Sequence, residues 1–241
     1  MPKPTQRSSA RHELVLEQLM GAAETLFARQ GVAGTSLVEL AEAVGLTRTG
    51  VYHYVSGKDE LLEHLVRGFS LVTANELQAL ADDSSRPAAE RLRAAVVAMA
   101  ARVAEHPQRF RVLLTSEEAF PPTLAKQHHR ARRKTFTALS SLVSQGIADG
   151  SVNPVDPDLT ALSLAGVANW VAFWYPRKEP APQQTPQQVA EALADIALGG
   201  VINPQHEVPG EGAIPQALAG LRSYVQRLEL LLDAGGRAAA D

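Results

Sequence analysis

The chain has 241 residues, of which 45% are apolar and 20% charged, with a formal net charge of −3 and no cysteine. This predicts a globular chain with room for one large domain or two small ones, and it excludes a disulfide framework or a cysteine-held metal. No uniformly basic nucleic-acid coat, membrane span of roughly 18 apolar residues or apolar signal segment is legible, which fits a cytoplasmic protein.

Residues 1–12 read as a flexible basic arm, with Lys3, Arg7 and Arg11 free to reach DNA or simply to solubilise the terminus. Leu16, Leu19, Met20, Ala23, Leu26 and Phe27 then recur at helical spacing and stop at Gly31. A short helix follows from about 36 to 44. Thr35 or Ser36 caps it, and Glu39, three residues after Ser36, completes a capping box. Gly45 breaks this helix, and Thr47 caps a third that carries "RTGVYHY". A fourth runs from near Lys58 to about Leu80, with Leu61, Leu62, Leu65, Val66, Phe69 and Val72 inward.

Helical patterns continue at about 88–105, 107–118, 122–148, 157–175 and 186–198, with "PRKEPAPQQTP" as a proline-rich loop before the last of these. An amphipathic segment at 214–233 carries Leu218, Leu221, Val225, Leu228 and Leu231 as a stripe. No stretch alternates convincingly as a strand, so the fold class is all-α.

The stretch "GLTRTGVYHYVSGKDELL" places two tyrosines and a histidine in a row between Arg48 and Lys58, and no acid occurs between Glu42 and Asp59. Adjacent rings do not suit a helical core, which wants them three or four apart. They suit a surface that meets another molecule. Two short helices joined by "VGLT" in a three-helix unit form a helix-turn-helix. From Ala22 to Leu62 the sequence resembles the DNA-binding domain of the TetR family of transcriptional regulators, through "A-x-x-L-F" before a glycine, "TSLVELAEAVGLT", "G-V-Y-x-Y" and "K-x-E-L-L".

The resemblance implies a helix-turn-helix domain at 13–57 and a larger helical ligand-binding and dimerisation domain at 58–241, the latter with an extra C-terminal helix. It places Thr47, which opens the helix, among the DNA-binding residues, with Arg48, Thr49 and Gly50 nearest the base edges and Arg48 suited to a guanine. Tyr52, Tyr54 and Lys58 face phosphates, and His53 reaches a base or a phosphate. Thr35 and Ser36 meet phosphate at the N-terminus of the second helix. The competing readings are a core ring for Tyr54 or Tyr52 and a phosphate-only contact for Arg48. Val51 and Val55 read as core, although the family often has phenylalanine in place of Val55.

In the larger half, "LAGVANWVAFWYP" sets Trp170, Phe173 and Trp174 at i, i+3 and i+4 on one face, either core, subunit interface or pocket wall. With its proline-rich loop and "LGGV", this region looks like the C-terminal domain of TetR-type regulators of lipid, steroid or aromatic-acid breakdown, which often answer to acyl-CoA thioesters. Lys126, Arg130, Arg132, Arg133 and Lys134 form a basic run, with no acid from Ala119 to Ala148. It is either a solvated face or, through Arg130 and Arg133, an anion-binding entrance above a pocket of Phe110, Phe120, Phe136, Trp170, Phe173 and Trp174. His128 and His129 are adjacent and face apart, so no metal site is expected.

The family pattern further implies a homodimer on a palindromic double-stranded operator, paired through 157–175 and 186–198. Ala161, Leu162, Ala165, Ala168, Ala190, Ala194 and Ala197 are small or apolar enough for that close packing. The implied function is a ligand-responsive repressor released by a small lipophilic effector such as an acyl-CoA thioester. The alternative is a DNA-binding regulator without a small effector, partner-controlled or an activator. No phosphate loop, nucleophile or carboxylate constellation suggests an enzyme, and no cofactor is implied.

Overall fold

In the computed structural model, residues 5–175 and 184–204 are described. The expected helix at 214–233 and most of the proline-rich loop lie outside them. Helix α1 spans Thr5–Gly34, with a break at Gly31, where φ is 75°. Part of the segment expected to be a flexible arm is therefore helical: after Pro4, Thr5 to Glu13 contain no glycine or proline to stop α1 from extending toward the N-terminus. Helix α2 (Leu37–Ala43) starts on the predicted capping box, in which Ser36 Oγ accepts from the Glu39 amide and Glu39 accepts from the Ser36 amide. Gly45 turns the chain at φ 69°, the left-handed conformation that glycine adopts without steric cost. Thr47 then opens α3 by accepting from the Gly50 amide at 3.0 Å.

Helix α3, Arg48–Val51, is a single turn, shorter than the sequence suggests. The aromatic residues follow it on hydrogen-bonded turns, where the His53 amide donates to Gly50 and that of Tyr54 to Val51. Val51 and Val55 are buried beneath, together with Leu19, Phe27, Leu40, Leu61 and Leu62.

The expected fourth helix is interrupted. Helix α4 covers Lys58–Leu65, one π-helical turn occupies Val66–Leu71, and α5 continues over Val72–Asp82. A π turn carries one extra residue per turn and commonly marks a functional position. Next come α6 (Ala88–Glu105), α7 (Pro107–Thr115), a 3-10 turn at Glu117–Ala119 and α8 (Pro122–Asp149). Helices α9 (Pro157–Trp174) and α10 (Pro186–Leu198) complete the described fold. Proline at the start of α7, α8, α9 and α10 fixes these N-termini, where no intrahelical donor is lost.

Helix α6 is central, packing on α5, α8, α9 and α10. Its buried Ala88, Ala95, Ala100, Ala101 and Ala104 allow neighbouring backbones close, while Leu92, Val96, Met99 and Val103 fill the space between. An isolated antiparallel bridge between Val152 and Ile202 ties the end of α8 to the end of α10. The two halves divided at 57/58 on the sequence belong to one compact unit that extends to Ile202. The α4–π–α5 path runs through both, and α7 packs on α1. No described helix is long and apolar enough to cross a membrane.

Candidate nucleic-acid interface and effector region

Thr47, Arg48, Thr49, Tyr52 and His53 stand exposed together on the capped turn and its continuation. The turn is rigid from below, since Val51 is fully buried and its amide bonds back to Thr47. Gly50 is partly covered: a Cβ there would sit 3.2 Å from Thr47 Oγ1, so any larger residue strains the cap. Tyr54 is half-buried, and its ring lies 4.9 Å from that of His12 on α1. It joins α1 to the reading turn more than it faces outward.

Two residues expected at phosphates spend side-chain donors within the protein. Thr35 is 2% exposed, and its hydroxyl donates to the Gly31 carbonyl at 2.9 Å; it closes the break in α1. Lys58 turns inward too, its ammonium donating to the carbonyls of Val32 and Thr35 at 2.8 Å each. Both residues bond to carbonyls at the end of α1, where intrahelical donors run out. Ser36 remains exposed, but Glu39 occupies the α2 N-terminus where a phosphate was expected. Hydrogen bonds from Gln30, then from Ser36, lower the Glu39 pKa to about 2, so the carboxylate is ionised there.

The expected pocket divides in two. Phe120 is buried and Phe110, Phe136 and Trp174 are half-buried, the ring of Phe110 lying 5.9 Å from Phe69 in the π turn. Trp170 and Phe173 do not join them. They are 63% and 48% exposed, with rings 5.1 Å apart on the outer face of α9. The inner face is taken by Ala161, Leu164, Ala168, Val171 and Ala172. The alanines expected to pack between subunits are corrected likewise, because Ala161, Ala168, Ala190 and Ala194 are buried within the chain itself. Leu159, Leu162, Val167 and Ile196 are the large exposed apolar residues that join Trp170 and Phe173 on α9 and α10.

Arg130 and Arg133 are exposed on α8, and neither has an ion pair among the described residues, whereas Arg132 pairs with Glu117 at 3.1 Å. A cleft of about 600 Å³ opens instead along α5, α6 and α10, lined by Glu76, Arg93, Arg102 and Glu191 among others and by none of the expected pocket residues.

Sequence reasoning missed the joint between the halves. Arg109 of α7 pairs with Glu24 of α1 at 2.6 Å, and Thr25 bonds to Gln108. Arg109 also lies over Gly68 of the π turn, 3.7 Å from where a Cβ would be. In the same turn, Ser70 is hydrogen-bonded at 2.9 Å to Nδ1 of the buried His128. No local pattern marks these partners, which lie 58 to 85 residues apart.

This arrangement matches known proteins over both halves. The family model for bacterial regulatory proteins of the tetR family matches residues 19–65, and that for the tetracyclin repressor-like C-terminal domain matches residues 85–201. The chain belongs to the TetR family of transcriptional regulators. TetR regulators are DNA-binding proteins and not enzymes. The HTH-type transcriptional repressor KstR2 of Mycolicibacterium smegmatis is 27% identical over 210 residues, covering 84% of this chain and 95% of that protein. KstR2 of Mycobacterium tuberculosis is 27% identical over 194 residues, 76% and 91% of the two chains. A solved structure of the latter, described as a ketosteroid transcriptional regulator, superposes with a TM-score of 0.69 at 22% identity, over 78% of this chain and 95% of that one. AibR in complex with isovaleryl coenzyme A and operator DNA gives a TM-score of 0.61 at 23% identity, over 76% and 97%. At these identities the structures establish the shared fold.

Proposed function

We propose that the protein is a homodimeric repressor in the cytoplasm that occupies a palindromic operator and is released by a small lipophilic effector. The observation that carries the reading is the exposed set Arg48, Thr49, Tyr52 and His53 on a capped turn above buried Val51 and Val55. Such a turn enters a major groove as a rigid unit, with Arg48 meeting a guanine and the Tyr52 hydroxyl meeting a phosphate. One turn reads a half-site, so a two-fold dimer reads two, about 34–36 Å apart. The apolar face of Leu159, Leu162, Trp170, Phe173 and Ile196 supports pairing through α9 and α10.

Effector binding in the larger half acts through α7, α8 and the π turn on α4 and α1, changing the spacing of the two readers. The shift equals the effector's preference for one conformation over the other. A coupling of about 1–3 kcal/mol gives a 5- to 150-fold change in operator affinity. The similarity to an isovaleryl coenzyme A complex and to a ketosteroid regulator supports an acyl-CoA thioester or a related lipophilic carbonyl compound. Exposed Lys126, Arg130 and Arg133 offer charge for coenzyme A phosphates.

The test is native mass spectrometry of the purified dimer, followed by a gel shift on DNA upstream of its own gene. Release of that DNA by acyl-CoA thioesters is expected. A dimer that binds the DNA but ignores the thioesters would retain the reader and refute that effector class.

A further inference from the structure

His128 is a polar group that neither the DNA reader nor the expected basic entrance uses. It faces inward from α8 and is 4% exposed, while its neighbour His129 is exposed. Its ring packs edge-on against Phe120, with centroids 5.5 Å apart. Nδ1 meets Ser70 Oγ at 2.9 Å, and Nε2 has no partner among the described residues. Burial comes first among the causes that lower its pKa, and nearby Arg132 and His129 act in the same direction against Glu117, so the ring is neutral near pH 7.

The hydrogen bonding selects a tautomer. The Ser70 hydroxyl has no other acceptor among the described residues, so with a proton on Nδ1 it would be buried with its own hydrogen unpaired. With Ser70 donating to Nδ1 the hydroxyl is satisfied and the proton sits on Nε2, which is not among the buried unpaired atoms and so is open to solvent or a ligand. The result is a neutral N–H donor without an acceptor among the described residues, on a ring that packs against Phe120.

We propose that His128 is the effector's polar anchor, donating from Nε2 to the carbonyl oxygen of a lipophilic ligand, and that Ser70 passes this contact to the connector. This deepens the effector-responsive reading above and rests on it. A cleft of about 430 Å³ lies between the start of α4 and the start of α8, lined on the α8 side by Pro121, Thr123, Leu124 and Gln127. Leu124, in that lining, is one helical turn before His128 on the same face of α8. Asp59, Glu60 and Glu63 line its other side.

The π turn makes the anchor consequential. Gly68 lies under Arg109, which holds Glu24 of α1; Phe69 meets Phe110; Ser70 holds His128. Three successive residues thus bind the connector to α7 and α8. A ligand that draws His128 from Ser70 loosens this joint where it governs the reader.

The experiment uses the full-length dimer with ¹⁵N-labelled histidine and two probe pairs: isovaleryl coenzyme A against its carbonyl-free thioether, and androstanedione against androstane. Free His128 is expected in the Nε2–H form. Its signals are expected to move with the carbonyl member of one pair and not with the matched compound; whichever pair responds distinguishes thioester from ketone. His128→Phe is expected to weaken that probe by about tenfold or more, and His128→Gln, which keeps a donor, to recover part of the loss. A proton on Nδ1 in the free protein would overturn the anchor. So would unchanged probe affinity in folded His128→Phe with DNA release intact, an outcome that leaves the carbonyl effector standing. Failure of both carbonyl probes to bind the native dimer would instead reject the carbonyl class, and the anchor with it.

Discussion

The Lys58 ammonium lies 2.8 Å from the Thr35 carbonyl and equally close to that of Val32, so the first residue of α4 holds the end of α1. Its ammonium serves carbonyls just after the break at Gly31, whose own carbonyl accepts the Thr35 hydroxyl. Lys58→Met is expected to lower stability by about 1–2 kcal/mol, since hydrogen bonds from a charged donor are stronger than neutral ones. Chemical denaturation of the protein measures this. The salt dependence of operator binding is expected to keep its native slope. A fall of about one unit would return Lys58 to the phosphate backbone.

Arg48 and Tyr52 separate by the kind of loss they produce. Both are exposed on the reading turn. Arg48→Ala is expected to cost about 1–3 kcal/mol on the cognate half-site and to relax preference at one base pair. Tyr52→Phe is expected to weaken all sequences alike, because a phosphate contact carries no base information. Fluorescence anisotropy on a panel of single-base operator variants distinguishes the two. Uniform weakening by Arg48→Ala would make it a phosphate contact.

Local chemistry made the helix boundaries legible. Proline opens α7 to α10, Thr185 and Gln188 form a second capping box, and Gly150 closes α8. The capped turn with Arg48, Thr49, Tyr52 and His53 was legible for the same reason. The inward bonds of Thr35 and Lys58 were not, because their partners are backbone carbonyls at the end of another helix. Trp170 and Phe173 show a different limit: i, i+3 spacing states that two rings share a face, while the neighbouring alanines and valines decide which face turns inward. The π turn had no signal at all, because Val66–Leu71 continues an ordinary helical pattern.

Acid is expected to destabilise the fold in two stages. Burial is the first cause lowering the pKa of both His106 and His128 from 6.5. Below that value the unfolded chain binds more protons than the folded one, so stability falls as the pH falls. Glu39 and Asp83 are lowered to about 2 by hydrogen bonds, from Gln30 and Ser36 to the first and from Ser85 to the second. Their contribution is complete above their ordinary values of 4.5 and 3.8 and is lost toward pH 2. Melting temperatures from pH 8 to pH 3 test this, and the loss between pH 7 and pH 5.5 is expected to shrink in His128→Gln. An equal loss in the variant would exclude His128 from the first stage.

The face of α9 and α10 gives the dimer its own test. Trp170, Phe173, Leu159, Leu162 and Ile196 are all close to half-exposed or more, and none fills the chain's core. Burying one such large side chain contributes about 1.5–3 kcal/mol, and two-fold symmetry uses each residue twice. Trp170→Glu puts a charge into both copies of that interface. Sedimentation is expected to show a monomer, with the folded helical signal retained because the inner face of α9 is untouched. Affinity for a full palindromic operator is expected to drop to that for a half-site, since the two readers no longer arrive together. Trp170→Phe keeps an apolar ring and is expected to remain dimeric. A Trp170→Glu variant that sedimented as a dimer would move the subunit contact off this face.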